Sequence, residues 1–517
     1  MDDAAYTLVD EDAAAPRDAA AATPTLMGLA SPIIANQMIG IFIPSFLTIA
    51  AVGQAAGARA VAALAMATTF ANITGWSLVV GISEGCDTLA SQAYGAGQHA
   101  VCGAILQRGV ALSAAGAAVV TVLWTQAERA LIAFGQPREL ARMAGAYCLW
   151  YIPALWAFAA VQPLRRWLTA LGVTRPFFFI GCVQLVVQCA AVVALLGARC
   201  DPMIAAAAAW GVSHAVTLVV TLAFAARRSA AARACWRGWS RSAVCDRAGL
   251  ATFARLALPA YTMLGLEWWT FEIATLLAGL LPHASTALAA ENLGLQLVVI
   301  FFMIPLGVGT AVATRVGQLL GARETRAARR VPPRGLACFA GCFVPLGALM
   351  LLPPVQRACS KLFVSDAGTV ADDDASGGGD DDDGDDDGLT LVALFARIAP
   401  WVVLEQAFDG VKEVLNGTLR GLGQQAAGVV TSFVAYAVVM VPLMIVFAFE
   451  VGQSWAPGVP GLFVGMTCGS ATHAALNLLL ALRWTDFEKA SEIAYERANA
   501  AAAKDDEQAA GRVDAPA

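Results

Sequence analysis

The chain has 517 residues, 58% of them hydrophobic and only 14% charged, with a mean hydropathy of +0.64. An ordinary soluble domain carries about 25% charged residues, so the composition excludes a soluble enzyme with a membrane tag, excludes general disorder, and favours one membrane-embedded body. The formal charge of −6 conceals two opposed parts, because residues 366–388 hold 11 Asp and no Lys or Arg, which leaves the remainder at +5.

Residues 1–24 are acidic and Ala-rich, with Arg17 as their one basic residue. They lack the positive start and short apolar run of a secretory signal, and read as a disordered tail before an uncleaved membrane anchor. A helix crossing a hydrocarbon layer of about 30 Å needs roughly 20 apolar residues, and backbone groups cannot go unpaired in lipid. Twelve such runs follow, at about 25–52, 60–83, 103–127, 144–168, 177–198, 203–226, 251–281, 287–312, 335–355, 390–415, 427–449 and 458–483. The ninth is weakened by Pro345, Pro353 and Pro354. This predicts an all-α polytopic membrane protein with a six-span half over 25–226, a linker at 227–250, a second half over 251–485 that carries the insert 366–388, and a tail at 486–517.

Basic residues test the count. With the N-terminus in the cytoplasm, the even-numbered connections, from Arg108 through Arg165, Arg166 and Arg175 to Arg420, hold eighteen Arg. The odd-numbered ones hold seven Arg or Lys. Positive residues in short loops mark the cytoplasmic side, so both termini are expected there, with the Asp-rich loop outside the cell or in a vacuolar lumen. The linker carries Trp236 and Trp239 among its Arg residues. It reads equally as an interfacial helix on an anionic leaflet or as a solvated connection.

Most of the 12 cysteines, Cys148, Cys182, Cys189, Cys338, Cys342 and Cys468 among them, lie inside apolar runs. No CxxC or zinc-type spacing appears, and Cys in such runs acts as a small apolar residue. With four His in all, no metal site is expected.

Two internal echoes stand out. The end of the second span, Asp87–Gly97, and the end of the eighth, Ala313–Arg323, share T-x-x-x-Q-x-x-G-A at an offset of 226 residues. A second echo aligns P-L-R-R, Pro163–Arg166, with T-L-R-G, Thr418–Gly421, at an offset of 254. Six spans per half give halves of like orientation, related by an axis along the membrane normal, and such repeats mark secondary transporters.

Six strings then resemble the multidrug and toxic compound extrusion (MATE) transporters, closest to their eukaryotic branch, over about residues 25–485. They are D-T-L-A-S-Q-A-Y-G-A at Asp87–Ala96, Q-P-L-R-R at Gln162–Arg166, E-W-W-T-F-E-I at Glu267–Ile273, M-I-P-L-G at Met303–Gly307, T-R-V-G at Thr314–Gly317, and D-G-V-K-E-V-L-N-G-T-L-R-G-L-G at Asp409–Gly423. The resemblance implies two six-helix bundles in a V around a central cavity. It also implies export of organic cations or other small metabolites in exchange for H⁺ or Na⁺, by a monomer in a lipid bilayer without a cofactor or a nucleic-acid partner.

Ionisable groups inside spans are costly and mark function. Glu267 and Glu272 lie mid-way along the seventh span, five residues and so about 140° apart around a helix. The resemblance makes Glu267 the leading proton or cation site. A carboxyl group among apolar neighbours is suited to proton exchange. Glu272 reads as a second coupling residue or as a structural carboxylate. In the tenth span Glu405, Asp409 and Glu413 recur every four residues on one face. Asp409 matches the acidic position of the family's D-G motif, and Glu413 is expected in a salt bridge with Lys412 or Arg397. Glu291 starts the eighth span, and Gln296 stands where animal members carry a Glu. Asp87, with Glu84 beside it, is read as structural and paired to a loop Arg; Arg166 and Arg420 are the other structural charges. The first span lacks the Asp of the bacterial branch and offers only Asn36 and Gln37, as cavity wall or as helix–helix contacts. Trp268, Trp269 and Tyr261 would supply an aromatic face for a cation, although adjacent Trp residues cannot both face one cavity.

Three other classes fit less well. A scaffold or receptor that lost transport conflicts with the intact carboxylates, a channel lacks a filter-like motif, and an ATP-driven pump lacks a Walker A string.

Overall fold

The computed structural model describes residues 25–282, 284–363, 391–449 and 457–513. The N-terminal tail 1–24 and the Asp-rich insert 366–388 therefore lie outside the described residues. Twelve long helices follow one another: α1 (Leu26–Gly57), α2 (Arg59–Gly95), α3 (His99–Trp124), α4 (Arg138–Ala170), α5 (Pro176–Gly197) and α6 (Pro202–Arg227), then α7 (Arg247–Ala278), α8 (Ala284–Gly321), α9 (Val331–Met350), α10 (Leu391–Leu422), α11 (Gln425–Ala448) and α12 (Val459–Leu479). A thirteenth, α13, runs over Phe487–Val513. Ten of the first twelve are long and apolar enough to span a membrane by composition. The two that fall short are α7 and α10, each 32 residues long, which hold Glu267, Asp409 and Lys412.

Local chemistry sets the ends. Asp201 and Asp246 cap α6 and α7 by accepting hydrogen bonds from the free amides of the first turn, and Pro176 and Pro202 open α5 and α6. Gly57, at φ 76°, turns the chain between α1 and α2, a backbone state that an L side chain resists.

The repeat is visible in these ends. Gly97 and Arg323, 226 residues apart, both take left-handed backbone, at φ 75° and 60°. Each closes its helix with the same pair of bonds. Gln98 N donates to Ala93 O at 2.9 Å, and Glu324 N to Leu319 O at 2.8 Å. The second echo needs correction. Gly172 and Gly423 end α4 and α10 in the same way, so the true offset there is 251 residues. Arg420 is thus the counterpart of Thr169, and the matched arginine strings were one turn out of register.

The buried apolar residues fall into three clusters. One belongs to the N-terminal bundle alone, and one to the C-terminal bundle together with Leu29 and Ala30 of α1. The third mixes both, setting Ile82, Leu89 and Trp167 against Phe253, Leu256 and Ala257. It lies at the end of the molecule where α2 stops and α3 begins, and α13 covers the same end. Among the described residues no buried apolar cluster joins the bundles at the opposite end. The bundles thus form a pair closed at one end.

That closure has two-fold symmetry. A Cβ added to Gly95 would fall on the carbonyl oxygen of Gln318, and one added to Gly321 on that of Gln92. Gly317 meets Ser91, its own counterpart at the 226-residue offset. Gln92 Nε2 donates to Gly421 O at 3.0 Å, and Gln318 Nε2 to Ala170 O at 2.9 Å. The motif that betrayed the repeat is the surface by which the halves touch.

The linker forms two short helices, Ala230–Cys235 and Arg241–Cys245, pinned to α3. Gln107 bonds Gly238 O and Ser240 N at 2.9 and 2.8 Å, and Arg108 bonds Ala243 O at 3.0 Å. Arg108 is therefore a buried helix residue, not a loop residue. The helix α13 rests on both bundles. Ser491 Oγ donates to Leu320 O at 2.9 Å, and Gln98 Nε2 to Asn499 Oδ1 at 2.7 Å.

Candidate functional site

The buried residues of α7 are Phe253, Leu256, Ala257, Ala260, Met263, Gly265, Glu267, Thr270, Ala274 and Ala278. Most of them recur at the three- and four-residue steps of one helix face, and Glu267 is the one ionisable side chain among them. Trp269 is 43% exposed on the outer side, and Trp268 is half-buried.

Opposite Glu267 lies α10, and the residue that meets it is Lys412. The Lys412 side chain is fully buried, with Nζ 2.8 Å from Glu267 Oε2 and 2.8 Å from Asp409 Oδ1. Its third oxygen is the hydroxyl of Tyr436, which accepts a hydrogen bond from Nζ at 3.3 Å. Tyr436 sits in a π-helical turn of α11, Val434–Met440, the kind of local widening that recurs at functional sites. The Phe302 ring of α8 lies 5.3 Å from the ammonium. Neither oxygen of Asp409 has a hydrogen-bond partner among the described residues, Oδ1 being held by Lys412 as an ion pair. One turn earlier, Glu405 accepts from Gln406 Nε2 at 2.8 Å and from Ser470 Oγ at 3.0 Å. Near Tyr436, His473 of α12 approaches Ser432 Oγ at 3.3 Å.

A second charged group spans the closed end. Arg166 reaches Asp87 at 2.8 Å and Glu84 at 3.6 Å within the N-terminal bundle. Arg420 reaches Glu413 at 2.8 Å within the C-terminal bundle and Glu84 at 3.3 Å across the junction. Thr88 Oγ1 donates to Arg420 O at 2.7 Å and accepts from Gln425 Nε2 at 2.7 Å. Two expectations change here. Glu413 pairs with Arg420 and not with Lys412 or Arg397, because Lys412 is turned toward α7. Asp87 pairs with a buried helix Arg, not one in a loop.

The remaining candidates lie apart. Glu272 is half-buried off the Glu267 face, and Glu291 accepts a hydrogen bond from Thr275 Oγ1 at 2.9 Å. Asn36 packs where α1 crosses α5, its Cα 3.1 Å from where a Cβ on Gly181 would stand. Tyr261 lies against Gly81 at the junction of the bundles. Among the described residues none of Tyr261, Trp268, Trp269, Gln296, Asn36 and Gln37 hydrogen-bonds to the Glu267–Lys412–Asp409 group. Lys412 and Tyr436 were missed as site residues. The signal for Lys412 was a lysine three residues after Asp409 in a span, while the π turn that aims Tyr436 left no mark in the apolar pattern.

The MatE family model matches residues 32–196 and 259–360. The chain belongs to the MATE transporter family. Curated relatives of this MATE transporter include Protein DETOXIFICATION 1 of Arabidopsis thaliana, 30% identical over 417 residues and covering 80% of each chain. Multidrug and toxin extrusion protein 2 of Oryctolagus cuniculus is 29% identical over 84% of this chain and 67% of its own. Among solved structures, the eukaryotic MATE transporter AtDTX14 superposes with a TM-score of 0.80 at 26% identity, over 92% of this chain and 98% of that one. A mutant form of the Vibrio cholerae MATE transporter VcmN shares the fold at 17% identity, with a TM-score of 0.76 over 90% of this chain and 98% of that one. This MATE transporter is a multi-pass integral membrane protein and not an enzyme.

Proposed function

We propose that this MATE transporter exports small organic cations from the cytoplasm in exchange for protons, with Glu267 and Asp409 as the groups that proton and substrate contend for. The observation that carries the reading is the pair of carboxylates, fully enclosed in the C-terminal bundle, that share one ammonium and leave Asp409 Oδ2 without a partner. A buried carboxylate without a counter-charge is costly, so the site is stable when a proton or a cation completes it. Proton and cation then exclude one another, which is the requirement for exchange. The Arg distribution supports a cytoplasmic closed end, with both termini on that side. We read the working unit as a monomer that needs no cofactor, a reading that a site built from one chain supports. Relatives named for detoxification and for multidrug and toxin extrusion fit a cationic xenobiotic or metabolite as cargo.

Glu267→Gln in proteoliposomes with an imposed pH gradient is the test. Gradient-driven efflux of a cationic dye should fall to the level of empty vesicles. Undiminished efflux would overturn the assignment, and efflux that follows an imposed Na⁺ gradient instead would replace the proton by sodium.

A further inference from the structure

The linker closes one side of an apolar groove in the N-terminal bundle, at the end where the bundles meet. Leu106 and Val110 of α3, Ala160 and Leu164 of α4, and Leu218 and Leu222 of α6 form its walls, and its volume is about 400 Å³. Arg233, Trp236 and Trp239 of the linker stand at its mouth. We propose that the groove holds one anionic phospholipid of the leaflet at the closed end, with an acyl chain lying along α6 and the phosphate at Arg233, and that this lipid steadies the closed end.

The groove has the form of a tail under a headgroup. Along α6 its lining runs from Leu218 to Ala226, about 12 Å of helix, against roughly 15 Å for one leaflet of the hydrocarbon layer. Its deep end, at Val110, Ala160 and Leu218, is wholly apolar, and Trp167 presents only its ring there, the indole N–H being bonded to Cys102 O at 2.8 Å. Val219 and Leu222 are exposed on the adjoining face of α6, as on a helix that faces lipid. At the mouth, Trp236 and Trp239 meet edge to face with 5.4 Å between ring centres, and Trp239 is exposed. Tryptophan gathers at the headgroup level, where its ring is half in apolar surroundings and half in water.

A tail gains little by leaving lipid for an apolar groove, so the headgroup selects the occupant. Seven Arg stand from Arg227 to Arg255, with Asp246 as the one acid among them. All seven are exposed, and none makes an ion pair among the described residues, where Asp246 is held by Arg108. Arg233 uses one N–H on Arg227 O at 3.0 Å and keeps its other donors for a phosphate. A basic cluster at the membrane surface favours anionic headgroups. The groove also shares a wall with the junction: Leu106, Leu164, Trp167, Ala225 and Ala232 line it and belong to the cluster that sets the N-terminal bundle against Phe253, Leu256 and Ala257. The linker itself is pinned to α3 and ends at Asp246, the cap of α7. A tail behind that wall and a phosphate on Arg233 therefore both favour the state in which this end is closed.

The experiment uses the full chain in nanodiscs of phosphatidylcholine with rising fractions of phosphatidylglycerol. One of the two lipids carries bromine on its acyl chains, and quenching of tryptophan emission reports contact; the signal lost in Trp236→Phe/Trp239→Phe belongs to the groove. Brominated phosphatidylglycerol should quench at about fivefold lower mole fraction than brominated phosphatidylcholine, the effect of one Arg beside an anionic headgroup. Arg233→Gln should remove most of that preference. Ala160→Phe, which fills the deep end, should weaken quenching by either lipid, and Arg247→Gln, outside the lining, should change nothing. Equal quenching by the two lipids, or equal losses in Arg233→Gln and Arg247→Gln, overturns the site, because tail contact or diffuse attraction would then suffice. Glycerol 3-phosphate in solution should not displace the lipid; displacement would make a free phosphate compound the ligand and overturn the proposal. The distance between spin labels at Arg175 and Glu324, both exposed, tests the effect on the closed end. Phosphatidylglycerol should sharpen it toward shorter values in wild type and not in Arg233→Gln, and an unchanged distribution with lipid bound overturns the steadying role. No ion gradient is imposed, so the result holds whichever ion drives export.

Discussion

A methyl group at Gly95 should force the closed end of the transporter apart. The Cβ of Gly95→Ala would fall on the carbonyl oxygen of Gln318, a backbone atom of α8 that no rotamer change can move aside. Carbon and carbonyl oxygen need about 3.3–3.6 Å, so α2 and α8 must separate by more than about 1 Å at their crossing. Overpacking of this kind costs about 1–3 kcal/mol. It falls only on the state in which the bundles touch here, and so shifts the balance toward the parted state by about 5–150-fold. The symmetric change Gly321→Ala drives a Cβ onto Gln92 O and should have the same effect. One separation relieves both clashes, so the double variant should cost less than the two single costs combined. Spin labels on the exposed positions Arg175 and Glu324, which follow α4 and α8 at this end, would report the distance by double electron–electron resonance. Both single variants should lengthen and broaden the distribution, whereas Gly197→Ala, which meets nothing within 4 Å, should not. Wild-type distances in Gly95→Ala, or strict additivity in the double variant, would refute the view that these glycines set one shared crossing.

Two further outcomes follow from the same structure. Arg166→Gln leaves Asp87 and Glu84 buried without their Arg partner in the N-terminal bundle, and should cost about 3–5 kcal/mol, seen as a marked drop in thermal unfolding temperature in nanodiscs; a wild-type melt would mean that Asp87 is neutral and unpaired by design. Deleting 366–388 should leave tetraethylammonium exchange nearly unchanged, as expected of a solvated insert, and a large loss would instead show that the eleven aspartates gather cations near an exit.

The twelve helices were legible because lipid imposes a length rule that hydropathy reads directly. The half-repeat was legible because its motif, Thr88, Gln92 and Gly95 with Thr314, Gln318 and Gly321, is held in place by close contact between backbones. The second echo misled by a turn because arginines were matched by likeness, whereas the equivalent positions are defined by the glycines that end α4 and α10. Glu267 and Asp409 could be named singly, since a charge in a span is conspicuous. Their common partner could not, because Lys412 has two acids beside it in sequence, Asp409 and Glu413, and only the rotation of α10 decides that it faces α7. The contact between Arg420 and Glu84 joins residues 336 apart and has no local signal at all.

The placement of charge shows how such a junction can open. Most of what closes it is neutral: glycine Cα atoms against carbonyl oxygens, and amide side chains of Gln92 and Gln318 bonded across. Among the described residues, two ionic links cross the junction, Arg420 to Glu84 and Arg108 of α3 to Asp246, the cap of α7. When the bundles part, Arg420 keeps Glu413 on its own helix and Glu84 keeps Arg166 in its own bundle. No charge of the Arg420–Glu84 link is stranded by the separation, so the large penalty for an unpaired buried ion does not oppose its breaking. Lys412 follows the opposite logic, since its partners Glu267, Asp409 and Tyr436 all belong to one bundle and travel with it. The transporter therefore moves its charged centre as a closed unit, and the Arg420–Glu84 contact can break with both members still paired.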